Sequence, residues 1–127
     1  MKYLLIILFS LLSFNSAFSE ENFDNFLFKN SKLIINSSSK TVGTFLEKIN
    51  VYDQNTVSRF LNLWKNKKLF YIKETKKIVL ISKFDNKTYY AIDIFSNAKI
   101  GKKKKKDFKK IKPNSSVMAK ISTALVN

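Results

Sequence analysis

Apolar positions along this chain follow two different periods, and each period predicts a different element. Val42, Phe45, Leu46 and Ile49 are spaced i, i+3, i+4, i+7, the stripe of an amphipathic helix, with Thr41 or Ser39 available as its cap. Val57, Phe60, Leu61 and Trp64 repeat that stripe, with Asn55 or Thr56 as cap. Only the short polar stretch Asn50–Gln54 lies between them, so the two helices are expected to pack antiparallel as a hairpin. Lys65, Lys67 and Lys68 then place cations at the negative end of the second helix. Upstream, Phe23, Phe26 and Leu27 predict a short helix, and Asn36-Ser37-Ser38-Ser39 reads as a loop or helix start.

From Leu69 onward the period changes. Runs rich in β-branched and aromatic residues alternate with polar clusters, the pattern of a small antiparallel meander. The predicted strands are Leu69–Lys73, Ile78–Ser82 and Thr88–Ile94, with a weak fourth at Ala98–Ile100. Turns fall at Glu74–Lys76 and Asp85–Lys87, where Asn86 can take a left-handed conformation. In the third strand Tyr90, Ile92 and Ile94 share one face, and Tyr89, Ala91 and Asp93 the other. After Pro113, Asn114, Ser115 or Ser116 can cap a closing helix striped by Val117, Ile121 and Leu125. The expected fold is α+β: a helical hairpin packed on a three- to four-stranded antiparallel meander, with a C-terminal helix. Trp64, on an apolar helix face, is expected in the core.

Residues 1–19 are set apart from this domain. Lys2, the apolar run Leu4–Phe14 and the small residues of Ala17-Phe18-Ser19 form the three regions of a secretory signal peptide. The apolar run is too short for a spanning helix, which needs about 20 residues. Cleavage before Glu20, residues 20–40 as linker or short helix, and a domain over 41–127 complete the expected organisation. A periplasmic or otherwise extracytoplasmic location follows from that leader. The chain has no Cys, so packing alone must stabilise it after export.

Composition narrows the chemistry. With no His and no Cys, the commonest general base, thiolate nucleophiles and ordinary zinc sites are excluded. The acids Glu47, Asp53, Glu74, Asp85, Asp93 and Asp107 are scattered, several at turns or caps, and Gly43 and Gly101 form no phosphate-cradling loop. The chain reads as non-catalytic, with no cofactor, metal or small-molecule ligand expected. A formal net charge of +15 favours an anionic surface as partner. Nearly all of it is Lys, with Arg59 the sole Arg, and Lys lacks the planar fork suited to phosphate.

The charge is densest at Lys102, Lys103, Lys104, Lys105 and Lys106, followed by Lys109, Lys110 and Lys112. These residues are the candidate partner-binding segment, for nucleic acid, anionic lipid or an acidic protein. The competing expectation is a solvated loop, because like charges repel and keep a run extended. Tyr71, Tyr89 and Tyr90 pose a similar choice between a stacking platform for single-stranded nucleic acid and ordinary half-buried sheet residues. The latter is favoured.

One family resemblance covers about the last half of the chain, from Phe60 to Val126. It is carried by Leu63-Trp64-Lys65-Asn66-Lys67-Lys68-Leu69, Phe70-Tyr71-Ile72-Lys73, Lys77-Ile78-Val79-Leu80-Ile81, Tyr90-Ala91-Ile92-Asp93, Ala98-Lys99-Ile100-Gly101 and Asp107 through Asn114. In this order the segment resembles the extracytoplasmic N-terminal region of the permease subunit of urea ABC transporters, relatives of the branched-chain amino-acid permeases. That pattern has a Leu-x-x-Gly-x-Leu-Tyr-Tyr strand entry, an Asp-x-x-Thr-Gly turn and a Lys-Lys-Ile-x-x-Asn stretch that opens a helix. Asn66 and Lys67 stand where the family tends to have Gly, and Asn97 where the second Gly falls. Ser115–Lys120 lacks the basic pairs of the family's closing helix. No segment of the 127 residues is fit to line a channel, so the resemblance implies an accessory module that docks on the permease or the substrate-binding protein. The rival expectation is a secreted module that binds polyanions through the lysine segment.

Overall fold

A computed structural model of the chain describes residues 23–126; the expected leader lies outside the described residues. Five helices and a five-stranded antiparallel sheet make up this α+β unit. Helix α1 covers residues 23–29, α2 Ser31–Ile35, α3 Ser39–Lys48, α4 Gln54–Lys65 and α5 Ser115–Val126. The strands are β1 Phe70–Ile72, β2 Ile78–Lys83, β3 Thr88–Ile92, β4 Lys99–Lys104 and β5 Phe108–Lys110.

Both apolar helix stripes are buried: Val42, Phe45 and Ile49 of the first, Val57, Phe60, Leu61 and Trp64 of the second. Trp64 is fully enclosed, with the rings of Phe45 and Phe60 each centred 5.7 Å away. Its indole N–H has no hydrogen-bond partner among the described residues. Helices α3 and α4 touch mainly through the rings of Phe45, Phe60 and Trp64. The close helix packing is that of α5 against each, with Val117 and Ile121 buried, so the expected hairpin is completed by α5 and not by direct α3–α4 packing. Residues 23–36, expected as linker or short helix, form two short helices whose Phe23, Leu27 and Ile34 enter the same core.

The caps of α3 and α4 differ from expectation by one residue or two, whereas that of α5 is one of those expected. Helix α3 is capped by Ser38, whose hydroxyl and that of Thr41 exchange bonds with each other's backbone N–H. Helix α4 is capped by Asp53, which accepts from the Thr56 N–H at 3.0 Å. Asn114 caps α5, accepting from Val117 N–H at 2.8 Å. Helix α4 ends in a left-handed turn: Lys67 has φ 60°, its N–H donates to the Trp64 carbonyl, and Lys68 N–H donates to that of Leu63. Lys76 and Asn97 are the other non-glycine residues with positive φ among those described; Asn86 is not one.

The sheet order is β4-β3-β2-β1-β5, so the meander acquires a fifth strand that returns to the edge of β1. Ile72 pairs with Phe108 and Phe70 with Lys110. Strands β4 and β5 lie at opposite edges, yet only the 3-10 turn Lys105–Asp107 joins them. In a flat sheet those edges would be about 19 Å apart, four spacings of ~4.8 Å. The chain from Lys104 to Phe108 can span at most ~14 Å. The sheet therefore has to curl. Strand β2 accomplishes much of the bend, pairing through Ile78 and Val79 with β1 and through Leu80–Lys83 with β3.

Curling gives the sheet two buried faces. On the concave side Ile72, Val79, Ala91 and Phe108 form a second small core, bordered by Phe70, Ile81 and Tyr89. On the other side Leu69, Tyr71, Ile78 and Ile94 join the helical core. The three tyrosines thus do not share a face: Tyr71 points to the helices, Tyr89 into the curl, Tyr90 away from it.

Two stability measurements check these arrangements. Phe108→Ala removes the ring that closes the concave core and should cost about 3 kcal/mol in denaturant unfolding. Lys67→Gly relieves a left-handed side chain and should stabilise the domain by about 1 kcal/mol, whereas Lys67→Ala should not.

Candidate functional site

The lysine segment is not the solvated loop that its charge suggests. Lys102, Lys103 and Lys104 continue β4, which runs well past the expected end at Ile100, and they pair opposite Tyr90, Tyr89 and Thr88. The cross-strand partners explain why like charges tolerate a strand here. Neighbouring ammoniums alternate between faces, and aromatic rings lie under two of the β4 lysines, Lys99 and Lys102. Lys102 Nζ is 4.0 Å from the centre of the Phe84 ring, and Lys99 Nζ is 4.3 Å from that of Tyr90. Phe84 and Tyr90 meet edge-to-face at 5.4 Å. Both edge strands of the sheet carry lysines, which also deters pairing with a second chain.

Lys105 and Lys106 occupy the 3-10 turn. Lys105 N–H donates to the Lys87 carbonyl, and Lys104, Lys105, Lys106 and Lys87 surround a shallow groove of about 560 Å³ with Asp85, Asn86 and Thr88. Lys109, Lys110 and Lys112 are elsewhere. Lys109 and Lys110 belong to β5 at the opposite edge, and the Nζ of Lys110 is 5.9 Å from the Phe70 ring centre. Lys112 follows Ile111, whose N–H donates to the Leu69 carbonyl. The structure therefore joins Lys102 and Lys104–Lys106 to Lys87, Lys99, Phe84 and Tyr90, and places Lys109 and Lys110 on β5, with Lys112 just beyond it.

Fourteen lysines face four acids between residues 70 and 112, so charge neutralisation within this half is minor. Three of those acids hold backbone. Asp85 accepts from Lys87 N–H at 2.9 Å, and Asp107 from Lys104 N–H at 3.2 Å. Asp93 accepts from Phe95 N–H at 2.8 Å and Ser96 N–H at 2.9 Å, shaping the β3–β4 turn. Arg59 pins that same turn to α4, donating to the Ile94 carbonyl at 2.9 Å and to Asn97 Oδ1 at 2.7 Å. The only Arg of the chain is thus a structural clamp. Among the described residues no cluster of three or more acids could hold a metal ion.

Compared with family models, curated proteins and solved structures, the chain matches none. Among the described residues, no helix is long and apolar enough to cross a membrane.

The turn acids titrate abnormally. The Lys87 N–H is the main cause holding Asp85 below the usual carboxylate range. For Asp93, partial burial pushes upward, but the N–H groups of Ser96 and Phe95 outweigh it and keep the carboxyl low. A depressed folded-state pKa contributes stability above the unfolded value, about 3.9, and this is lost as pH falls through the folded value. Unfolding midpoints measured between about pH 5 and pH 2 should therefore drop with acid, and Asp93→Asn should flatten part of that drop.

Proposed function

We propose that this domain is a non-catalytic extracytoplasmic module of a urea or amide ABC uptake system, docking on the permease or the substrate-binding protein. The observation that carries this reading is conformational. The pattern it resembles places glycine at the strand entry and at the Asp-x-x-Thr-Gly turn. Lys67 and Asn97 occupy those places here, and both have the left-handed backbone that glycine favours, φ 60° and 61°. The turn aspartate of the pattern corresponds to Asp93, which accepts the two N–H groups that shape that turn. The residues from Phe60 to Val126 also run without interruption through the end of α4, five strands and α5, the order that the resemblance implies.

Docking falls to the lysine-bearing end of the sheet. Lys102–Lys106 present cations that an acidic face of a transporter subunit would complement, with Lys109, Lys110 and Lys112 extending the charge along the other edge. Asp85 and Asp107 are the acids nearby, and the five lysines outnumber them, so the segment keeps a net positive charge for a partner.

Affinity purification of the tagged protein from envelope extract should recover a permease or substrate-binding subunit of such a transporter. Charge reversal by Lys104→Glu, Lys105→Glu and Lys106→Glu should reduce that recovery by about tenfold or more. Recovery free of any transporter subunit, or unchanged by the reversal, would refute the proposal.

A further inference from the structure

The part of the convex face that the helices leave uncovered carries a second arrangement, independent of the transporter reading. It is built from the far end of β2, the middle of β3 and the edge strand β4. Phe84 is 51% exposed there, and Ile100, on the same hairpin, is 45% exposed. Lys99 and Lys102 place their ammoniums over the rings of Tyr90 and Phe84, while Lys104 continues the same row along β4. The β-irregularity between Ala91 and Ile92 lets Lys99 pair opposite Ile92, with Gly101 opposite Ala91, so that Ile100 is the extra residue.

We propose that this face docks on an anionic phospholipid bilayer, with Phe84 entering the headgroup layer and Lys99, Lys102 and Lys104 meeting lipid phosphates. Three features select lipid among anionic partners. First, an ammonium of the protein already lies over one face of each ring and the two rings meet edge-to-face, so they do not form a flat platform for stacked nucleobases. Second, every cation on the face is Lys, a compact charge without the guanidinium fork, which suits a diffuse headgroup field better than oriented phosphates. Third, an exposed aromatic among long cationic side chains is the composition of an interfacial contact: the ring loses water contact while the ammoniums stay at headgroup level. Asp85, the acid of this region, is outnumbered by Lys87, Lys99, Lys102 and Lys104, so the field stays positive.

The test uses the chain starting at Glu20, which retains every residue of both cores and omits the apolar leader. It should co-sediment with phosphatidylcholine vesicles containing about one-third phosphatidylglycerol, not with phosphatidylcholine alone, and salt should release it. Lys99→Gln with Lys102→Gln should weaken binding by about tenfold or more, since each surface lysine is worth about fivefold. Lys40→Gln with Lys48→Gln on α3 removes the same charge and should cost under about twofold, because those lysines lie outside the face. Phe84→Trp supplies a reporter: its emission should shift to the blue on anionic vesicles, against the unchanging emission of the fully buried Trp64. Absence of vesicle binding, equal losses from the two lysine pairs, or an unshifted reporter would each overturn the proposal. So would preferential binding of a single-stranded oligonucleotide that displaces the vesicles.

Discussion

The pairing of Ile72 with Phe108 closes the curl of the sheet, and most other features of this half of the molecule depend on it. The three-residue turn before Phe108 is too short to cross a flat sheet, so forming that pair forces the strands to bend. Bending in turn creates a concave face small enough for Ile72, Val79, Ala91 and Phe108 to fill. It leaves the convex face with two kinds of neighbour: the helical layer over Tyr71, Ile78 and Ile94, and solvent over Phe84 and Tyr90. A domain without disulfides thus obtains two cores from one sheet.

The polar residues serve the same geometry. Asp53 starts α4, while Asp85, Asp93 and Asp107 each satisfy N–H groups at a bend of the sheet. Arg59 holds the β3–β4 turn against α4, joining the layers by hydrogen bonds as well as by packing. Acids are few here, and Lys99, Lys102 and Lys110 lie over aromatic rings: Tyr90, Phe84 and Phe70. The surplus charge is therefore held in an ordered strand.

Much of the fold was legible in the chain because periodicity reports burial directly. The stripes through Phe45 and Trp64, the strand around Val79 and the closing stripe of Val117 and Ile121 all lie where their spacing implies. The fifth strand was not legible. Phe108–Lys110 has one apolar residue and two lysines, and only closure on β1 makes it a strand. The continuation of β4 was hidden for a related reason: five lysines in series argue for repulsion, and the rings that relieve it arrive from other strands. The caps of α3 and α4 were displaced since several polar residues compete at each start, and Ser38 and Asp53 prevail by geometry, while Asn114 caps α5 as its position before the stripe implies. The lysines of the candidate site were evident; their grouping with Phe84 and Tyr90 was not, because register brings those residues together.

The closing pair also sets a schedule for assembly. Phe70 waits for Lys110, forty positions further along the polypeptide, before its free edge is occupied. During synthesis the hairpins of β1 to β3 can form early, but β1 stays open until nearly the whole domain has emerged. An unfinished chain would expose Phe70 and Ile72 beside a bare backbone edge, which is the state most prone to capture by a neighbouring nascent chain. A strongly cationic polypeptide repels its own copies at that stage, so the lysines also protect the molecule before it has any surface to present.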